Sequence, residues 1–272
     1  MTAAQIDLPG SVRPLTGTWK TLVSTPRSGP ANMALDHALM TRARRTGERV
    51  FRVYSWSDPT LSLGRHQAAQ DRIDRAAARD LGVSLVRRPT GGRALLHDHE
   101  VTYSVTATLA PEDSVRAWYE AINVMLLRAL RAMGVNARMA DVAGRTPLPA
   151  TASCFVRPDE GEITVQGRKL VGSALLRQGG ALLQHGSILL EDDQPLLDAL
   201  LPSGELRPAP AGTLRQALGA APSFAQVTEA LLGALAAAED LEVSPLERDS
   251  LLDAHAAEAE RLFASEEWTF RY

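Results

Sequence analysis

Hydrophobic and polar positions change period several times along the chain, and each change marks a predicted element. After a polar lead-in over 1–18, Trp19 to Ser24 reads as a first strand. Ser28-Gly29-Pro30 supplies a helix start, and Ala31, Leu35, Leu39 and Met40 carry one apolar stripe to about Arg45. Val50 to Trp56 alternates as a strand does, and Leu61-Ser62-Leu63-Gly64 is a shorter one. Asp74 to Leu81 predicts a helix closed by Gly82, followed by a buried strand at Ser84-Leu85-Val86. Ala94 to Leu96 and Val101 to Thr108 are further strand material, and Ser114 to Met133 has the spacing of a long amphipathic helix ending at Gly134.

From Cys154 to Leu190 the period returns to that of strands. Ile163 and Val165 alternate with polar neighbours, Gln166-Gly167-Arg168 reads as a turn, and Lys169 to Leu176 is the next strand. Gly179-Gly180 turns into a third, Ala181 to Leu190, so this part is an antiparallel meander. Pro202, Pro208, Pro210 and Gly212 then mark a linker, and helical patterns near 223–238 and 245–264 precede a tail containing Trp268. The pattern predicts an α/β (α+β) protein with mixed and antiparallel sheets flanked by helices. Its expected parts are a flexible lead-in (1–18), a main domain (19–201), and a linker with a C-terminal helical extension (202–272).

Composition narrows the function. The 272 residues can bury a full core, and a net charge of −3 argues against a nucleic-acid binder acting through bulk electrostatics. No apolar run approaches the roughly 20 residues of a membrane span, and Met1 to Gly10 lacks the order of a secretory signal. With a single cysteine no internal disulfide can form, so a cytoplasmic location is the expectation. Of the 29 basic residues only Lys20 and Lys169 are lysine, which singles out positions that need a primary amine.

Four segments carry candidate chemistry. In Arg87-Arg88-Pro89-Thr90-Gly91-Gly92-Arg93 the glycines allow close backbone approach and the arginines supply donors for an acidic group; a Gly-Gly turn with solvated arginines is the plainer alternative. In His97-Asp98-His99-Glu100 the two histidines would share a strand face and could chelate a metal, but further ligands are not evident and a polar turn is preferred; no metal is expected. Lys169 begins a strand otherwise filled by Leu170, Val171 and Ala174. It can hold a carbonyl oxygen or act as a base, with Gly172-Ser173 offering backbone N–H groups to an oxyanion, or it can be an outer-strand lysine that discourages pairing. Cys154, alone, reads as a small buried hydrophobe unless a neighbour such as Lys169 raises its thiolate fraction.

Taken in order, these segments resemble the lipoate-protein ligase and octanoyltransferase superfamily, whose catalytic fold is shared with biotin-protein ligases. The resemblance is carried by Asn32-Met33-Ala34-Leu35-Asp36, Pro59-Thr60-Leu61-Ser62-Leu63-Gly64, Arg87 to Ala94, Leu96-His97-Asp98, Gly167 to Ala174, and Gln184-His185-Gly186-Ser187-Ile188-Leu189, and covers about residues 19–201. Within it the chain looks most like the octanoyltransferases of the type found in Gram-positive bacteria. Arg93 stands where ATP-using ligases typically carry a third glycine, and Glu100 to Ser104 looks like the transferase version of its strand. Cys154 falls where those transferases hold an acyl-accepting cysteine, and Ala264 to Arg271 resembles their C-terminal end.

That resemblance implies octanoyl transfer from octanoyl-acyl carrier protein to a lysine of a lipoyl-accepting protein, either glycine-cleavage H protein or a lipoyl domain of a 2-oxoacid dehydrogenase. Cys154 would form the thioester and Lys169 would activate it. Arg87, Arg88, Gly91, Gly92, Arg93, Ala94, His97, Gly172, Ser173, Ala174, His185 and Gly186 would bind the acyl group and substrate, the arginines meeting the acidic carrier. No cofactor, nucleic acid or membrane is expected, and the chain would be a monomer. The rivals are an ATP- and Mg²⁺-dependent lipoate-protein ligase, a lipoyl or octanoyl amidotransferase acting between carrier proteins, and a silent binder of lipoylated proteins.

Overall fold

The computed structural model describes residues 15–69, 72–140, 161–201, 210–238 and 241–272. Strand β1 (Gly17–Val23) leads into helix α1 (Gly29–Thr46), then β2 (Arg49–Tyr54) and β3 (Thr60–Leu63). Helix α1 begins where the sequence predicts: the Ser28 hydroxyl accepts from the Ala31 amide, and Pro30 occupies the first turn, where a missing N–H costs nothing. Gly47, at φ 75°, ends it. Helix α2 (Arg75–Asp80), β4 (Ser84–Arg87), β5 (Leu95–His97), β6 (Glu100–Thr108) and α3 (Val115–Ala132) follow.

Next come β7 (Ala137–Met139), β8 (Ile163–Val165), β9 (Arg168–Gln178) and β10 (Ala181–Leu189). The remaining elements are α4 (Leu197–Leu200), α5 (Leu214–Leu218), α6 (Phe224–Ala236), β11 (Leu241–Pro245), α7 (Ser250–Phe263) and α8 (Glu266–Thr269). Eight strands form one sheet in the order β11-β1-β2-β6-β10-β9-β8-β7, and β4-β3-β5 form a second. In the large sheet β11, β1 and β2 run parallel and the rest pair antiparallel, so the expected mixed sheet is present.

Strand alternation sends Phe51, Val53, Tyr103, Val105 and Leu182 to one face of the large sheet. There they meet the apolar stripe of α3, made of Ile122, Met125, Leu126 and Leu130, with Val227 and Leu231 of α6 beside it. Each such side chain, fully buried, contributes about 1.5–3 kcal/mol. The opposite face is covered by α1, itself packed against α7. This second face is where the polar residues of the sheet collect.

The C-terminal residues are not an appendage. Strand β11 pairs in parallel with β1, from Gly17 opposite Leu241 to Thr21 opposite Pro245. The Gly212 amide donates to the Lys169 carbonyl at 2.9 Å, and Phe263 of α7 packs with Met33, Tyr54 and Val86. A boundary after Leu201 therefore does not separate an independent body. The helix expected over 245–264 starts later, at Ser250, where Asp249 caps it by accepting from the Leu252 amide. No helix among the described residues is long and apolar enough to cross a membrane.

Candidate active site

The Arg87–Arg93 segment leaves β4 and passes over the end of β3. The Arg88 amide donates to the Leu63 carbonyl and the Arg65 amide to the Thr90 carbonyl, both at 2.8 Å. Gly92 adopts φ 98°, and a Cβ on Gly64 would stand 1.9 Å from the Gly92 carbonyl oxygen, so this crossing requires glycine on both sides. Gly91 is half-buried and Ala94 is fully buried beside Leu61, Leu63 and Leu96.

Arg87 and Arg88 do not greet a partner, as expected from sequence; they are framework residues. The Arg87 side chain is fully buried, donating to the Thr269 carbonyl (2.8 Å) and to the Gly64 and Gln67 carbonyls (both 2.7 Å). Burial, with Arg271 nearby, pulls its guanidinium down to about 10, which still leaves it charged at neutral pH. Arg88 donates to Ser62 Oγ at 2.6 Å and to the Arg93 carbonyl at 2.8 Å, so it ties the loop to itself and to β3. A guanidinium is suited to this because its planar donors reach several carbonyls at once. Of the arginines, Arg93 is only half-buried, and its position on the loop leaves it a candidate for substrate contact.

Two buried hydrogen-bond chains fix the loop from beneath. In the first, Ser62 Oγ, which accepts from Arg88, meets His97 Nε2 at 2.6 Å, and His97 Nδ1 meets Glu100 Oε1 at 2.8 Å. The same carboxylate oxygen accepts from Trp56 Nε1 at 3.1 Å and Ser187 Oγ at 2.8 Å, and from Thr102. The His97 ring stacks on Trp56 with centroids 3.9 Å apart. His99, in contrast, lies exposed with its Nδ1 3.2 Å from Asp193, so the two histidines do not share a face as a metal pair would.

In the second chain, Thr90 Oγ1 meets His185 Nε2 at 2.6 Å, and His185 Nδ1 lies 3.4 Å from Asp36 Oδ2. Asp36 also receives Arg52 Nη1 (2.7 Å), Ser104 Oγ (2.7 Å) and Tyr54 OH (3.0 Å), and both Asp36 and Arg52 are fully buried. Burial pushes the Asp36 carboxyl up, but Arg52 and the His185 bond outweigh it and hold the group below the ordinary carboxylate range. Burial lowers His185, with the Asp36 bond opposing, so the ring is neutral near pH 7. A neutral imidazole has one donor and one acceptor. Nδ1–H therefore serves Asp36, and Nε2 accepts from the Thr90 hydroxyl.

Lys169, the second residue of β9, stands opposite Thr164 of β8. It is not an outer-strand lysine, because β9 pairs with β10 on one side and β8 on the other. Its Nζ lies 2.7 Å from Glu162 Oε1, with the side chains only 2% and 4% exposed. Further along β9, Ser173 Oγ meets Tyr103 OH at 2.8 Å, committing this side chain to the strand neighbour. Gly172 and Gly186 approach so closely that a Cβ on Gly186 would stand 2.5 Å from the Gly172 carbonyl oxygen. Ala174 pairs with His185 across β9 and β10. Cys154 lies outside the described residues.

The structure thus gathers Arg88, Gly91, Gly92, Arg93, His97 and His185 around one loop, and sets Lys169, Gly172 and Ser173 along β9. The sequence did not single out Arg52 or Glu162, and Glu100 figured there only as a member of two motifs. Arg52 sits inside an apolar strand, where a charged residue on the inward phase is the available signal; Glu162 stands in an acidic, glycine-containing stretch with no such cue.

A short glycine loop braced by two buried histidine–carboxylate chains, and a buried lysine on a paired antiparallel strand, are the polar features of an enzyme's substrate site. Accordingly, the Lipoyl protein ligase A/B catalytic domain family matches residues 28–236, and the chain belongs to that family. It is similar to Octanoyltransferase LipM of Kyrpidia tusciae, 40% identical over 93% of this chain and 99% of that one. Octanoyltransferase LipM of Brevibacillus brevis is 34% identical over the same shares. Among solved structures, a bi-partite lipoate protein ligase of Thermoplasma acidophilum superposes with a TM-score of 0.77 at 19% identity, over 93% of this chain and 96% of that one. Lipoate-protein ligase A bound with ATP gives 0.77 at 21% identity, over 93% and 99%.

Proposed function

We propose that the chain is a protein N-octanoyltransferase of lipoate biosynthesis. It moves an octanoyl group from acyl carrier protein to a lysine of a lipoyl-accepting protein, through a thioester on Cys154. The reading rests on end-to-end similarity to chains named octanoyltransferase. Lys169, a buried amine in the family's lysine-bearing strand, supports it.

The Cys154 thiolate attacks the carbonyl carbon of the carrier thioester, and the carrier thiolate leaves. The neutral ε-amine of the acceptor lysine then attacks the new thioester, Cys154 departs as thiolate, and the amine's extra proton passes to solvent. Thioester exchange is nearly isoenergetic and aminolysis is downhill, so no ATP is consumed. The protein contributes orientation, which supplies up to roughly 7–11 kcal/mol in well-aligned cases. The braced loop at Gly91–Ala94 floors the acyl site, and Arg93 faces the acidic carrier. The acceptor is glycine-cleavage H protein or a lipoyl domain, and the enzyme works in the cytoplasm as a monomer.

Intact masses of the protein incubated with octanoyl carrier and apo-H protein, without ATP, test the reading. An octanoyl adduct on the wild type that is lost in Cys154→Ala, with octanoylated H protein accumulating, supports it. Modification that starts only when ATP and free lipoate are added overturns it in favour of a ligase, and octanoyl supplied only by an already modified protein favours an amidotransferase.

A further inference from the structure

We infer that residues 268–272 form a strap that sets the glycine loop, with Trp268 and Arg271 as its positioning residues. The acyl site then takes its working shape only while the strap is docked. The inference rests on the acyl-transfer reading above and gives a role in it to the segment that follows α7.

The loop has two stems, 64–69 leaving β3 and 87–90 leaving β4, and the strap holds both. At the second stem Trp268 Nε1 donates to the Arg87 carbonyl at 3.0 Å, and Arg87 Nε donates back to the Thr269 carbonyl at 2.8 Å. At the first stem Arg271 Nη2 donates to the Arg65 carbonyl at 3.1 Å, and the Ala69 amide donates to the Tyr272 carbonyl at 2.8 Å. Arg87 joins the two stems, since its Nη1 donates to the Gly64 and Gln67 carbonyls, each at 2.7 Å. The Arg65 amide in turn donates to the Thr90 carbonyl, and the Thr90 hydroxyl is the group that meets His185. Movement of the strap therefore reaches the crossing of Gly64 and Gly92 through the main chain.

The strap also supports the site from a second direction. The Trp268 ring stands edge-on to Phe263 with centroids 5.4 Å apart, and the Arg271 guanidinium lies 3.6 Å from the centre of the Trp268 ring. Trp268 packs on the cluster that contains Phe263, Tyr54 and Trp56. Tyr54 OH is bonded to Asp36 and Trp56 Nε1 to Glu100, the carboxylates at the root of the two buried chains. Contacts of ring with ring and of cation with ring favour particular directions, so this cluster orients as well as fills.

Little within the strap itself holds it there. Helix α8 is a single turn, capped by Ser265 Oγ accepting from the Trp268 amide, and a helix so short has no stability of its own. The Arg75–Glu266 ion pair that flanks it is exposed and contributes little. Docking depends on the loop stems and the aromatic cluster, and a segment held this way opens at a fraction of the free energy of global unfolding. Opening has a direct cost at the loop. Arg87 Nη2 is already buried without a hydrogen-bond partner, so departure of Thr269 leaves a second donor of the same guanidinium unpaired.

The test compares wild type, Trp268→Leu, Trp268→Phe and Arg271→Ala as full chains. Glu267→Gln, an exposed position on the same segment, is the control. Amide hydrogen exchange and octanoylation by octanoyl carrier are followed at a temperature where circular dichroism shows every variant folded. In Trp268→Leu, peptides covering 64–69 and 87–93 exchange about tenfold faster while those of β9 and β10 keep wild-type rates. Its kcat/KM for octanoyl carrier falls about tenfold or more. Trp268→Phe, which keeps a ring against Phe263 but has no N–H, lies between Trp268→Leu and wild type. Arg271→Ala speeds exchange chiefly at the stem that carries Arg65, and Glu267→Gln matches wild type. Faster exchange spread evenly over loop and sheet means that the strap adds only to global stability, and overturns the inference. So does unchanged exchange at the stems, or a wild-type kcat/KM in Trp268→Leu. If the carrier fails to octanoylate even the wild type, the donor reading is what has failed, and the exchange profiles still decide whether the strap sets the loop.

Discussion

The contact between Gly64 and Gly92 offers a sharp test of how the loop is held. In Gly64→Ala the new Cβ falls 1.9 Å from the Gly92 carbonyl oxygen and 2.8 Å from its carbon. Ordinary contact requires a separation larger by roughly 1–1.5 Å. The loop cannot retreat freely, because backbone bonds at Leu63 and Thr90 clamp it to the chain that carries Gly64. Overpacking of this kind costs about 1–3 kcal/mol, which lowers the unfolding midpoint by roughly 2–4 °C per kcal/mol in a protein near this size. The displacement also pulls Thr90 from His185, and a shift of about 1 Å in a positioned group costs on the order of a hundredfold in rate. The assay is kcat/KM for carrier-dependent octanoylation of the acceptor, beside a thermal melt. Gly91→Ala is the control for stability, since nothing lies within 4 Å of its added Cβ. A Gly64→Ala protein with wild-type turnover and melting midpoint would refute the claim that this crossing sets the loop.

Arg52→Met leaves Asp36 buried without its cation and should cost about 3–5 kcal/mol in urea unfolding, part of which returns in the Arg52→Met/Asp36→Leu double variant; a loss under about 1 kcal/mol would contradict the pairing. The pH dependence has a defined sign. His185 is depressed below 6.5 in the fold, so its contribution to stability is complete above pH 6.5 and declines as pH falls through the lower folded value; His185→Gln should flatten that part of the curve. Asp36 is depressed below 3.8, so its contribution persists to more acid conditions and disappears only as pH drops through its own folded value. Unfolding free energies measured from neutral to acid pH would therefore show two declines, of which Asp36→Asn removes the second; a single decline common to both variants would sink this assignment.

Much of this architecture is legible in the chain because local signals agree with the tertiary result. The Ser28 cap, the stripe through Leu35 and Leu39, and the alternation of Val101 to Thr108 each act within a few residues, and the elements they predict are present. Strand β11 is different. Leu-Glu-Val-Ser-Pro has no strong alternation and ends in proline, and it becomes a strand only because β1 supplies a partner. The candidate site divides in the same way. The loop glycines and Lys169 are visible as residue types with a chemical use. Burial of Arg87, which converts it from an apparent contact residue into framework, depends on the C-terminal segment folding back so that Thr269 accepts from its side chain and Trp268 Nε1 donates to its carbonyl at 3.0 Å. Glu162 acquires meaning only from Lys169 standing beside it.

The pairing of the first strand with the last has a consequence during synthesis. Lys20 and Ser244, bonded at 3.0 Å, are 224 residues apart in the chain. At about 5–20 residues per second, a ribosome takes roughly ten to forty-five seconds to deliver the second after the first. Through that interval one flank of β1 has unsatisfied amides and carbonyls, the condition under which nascent strands pair with the wrong chain. Lys20, one of only two lysines in the sequence, sits in that strand, where a strongly hydrated charge deters such pairing until its proper partner arrives.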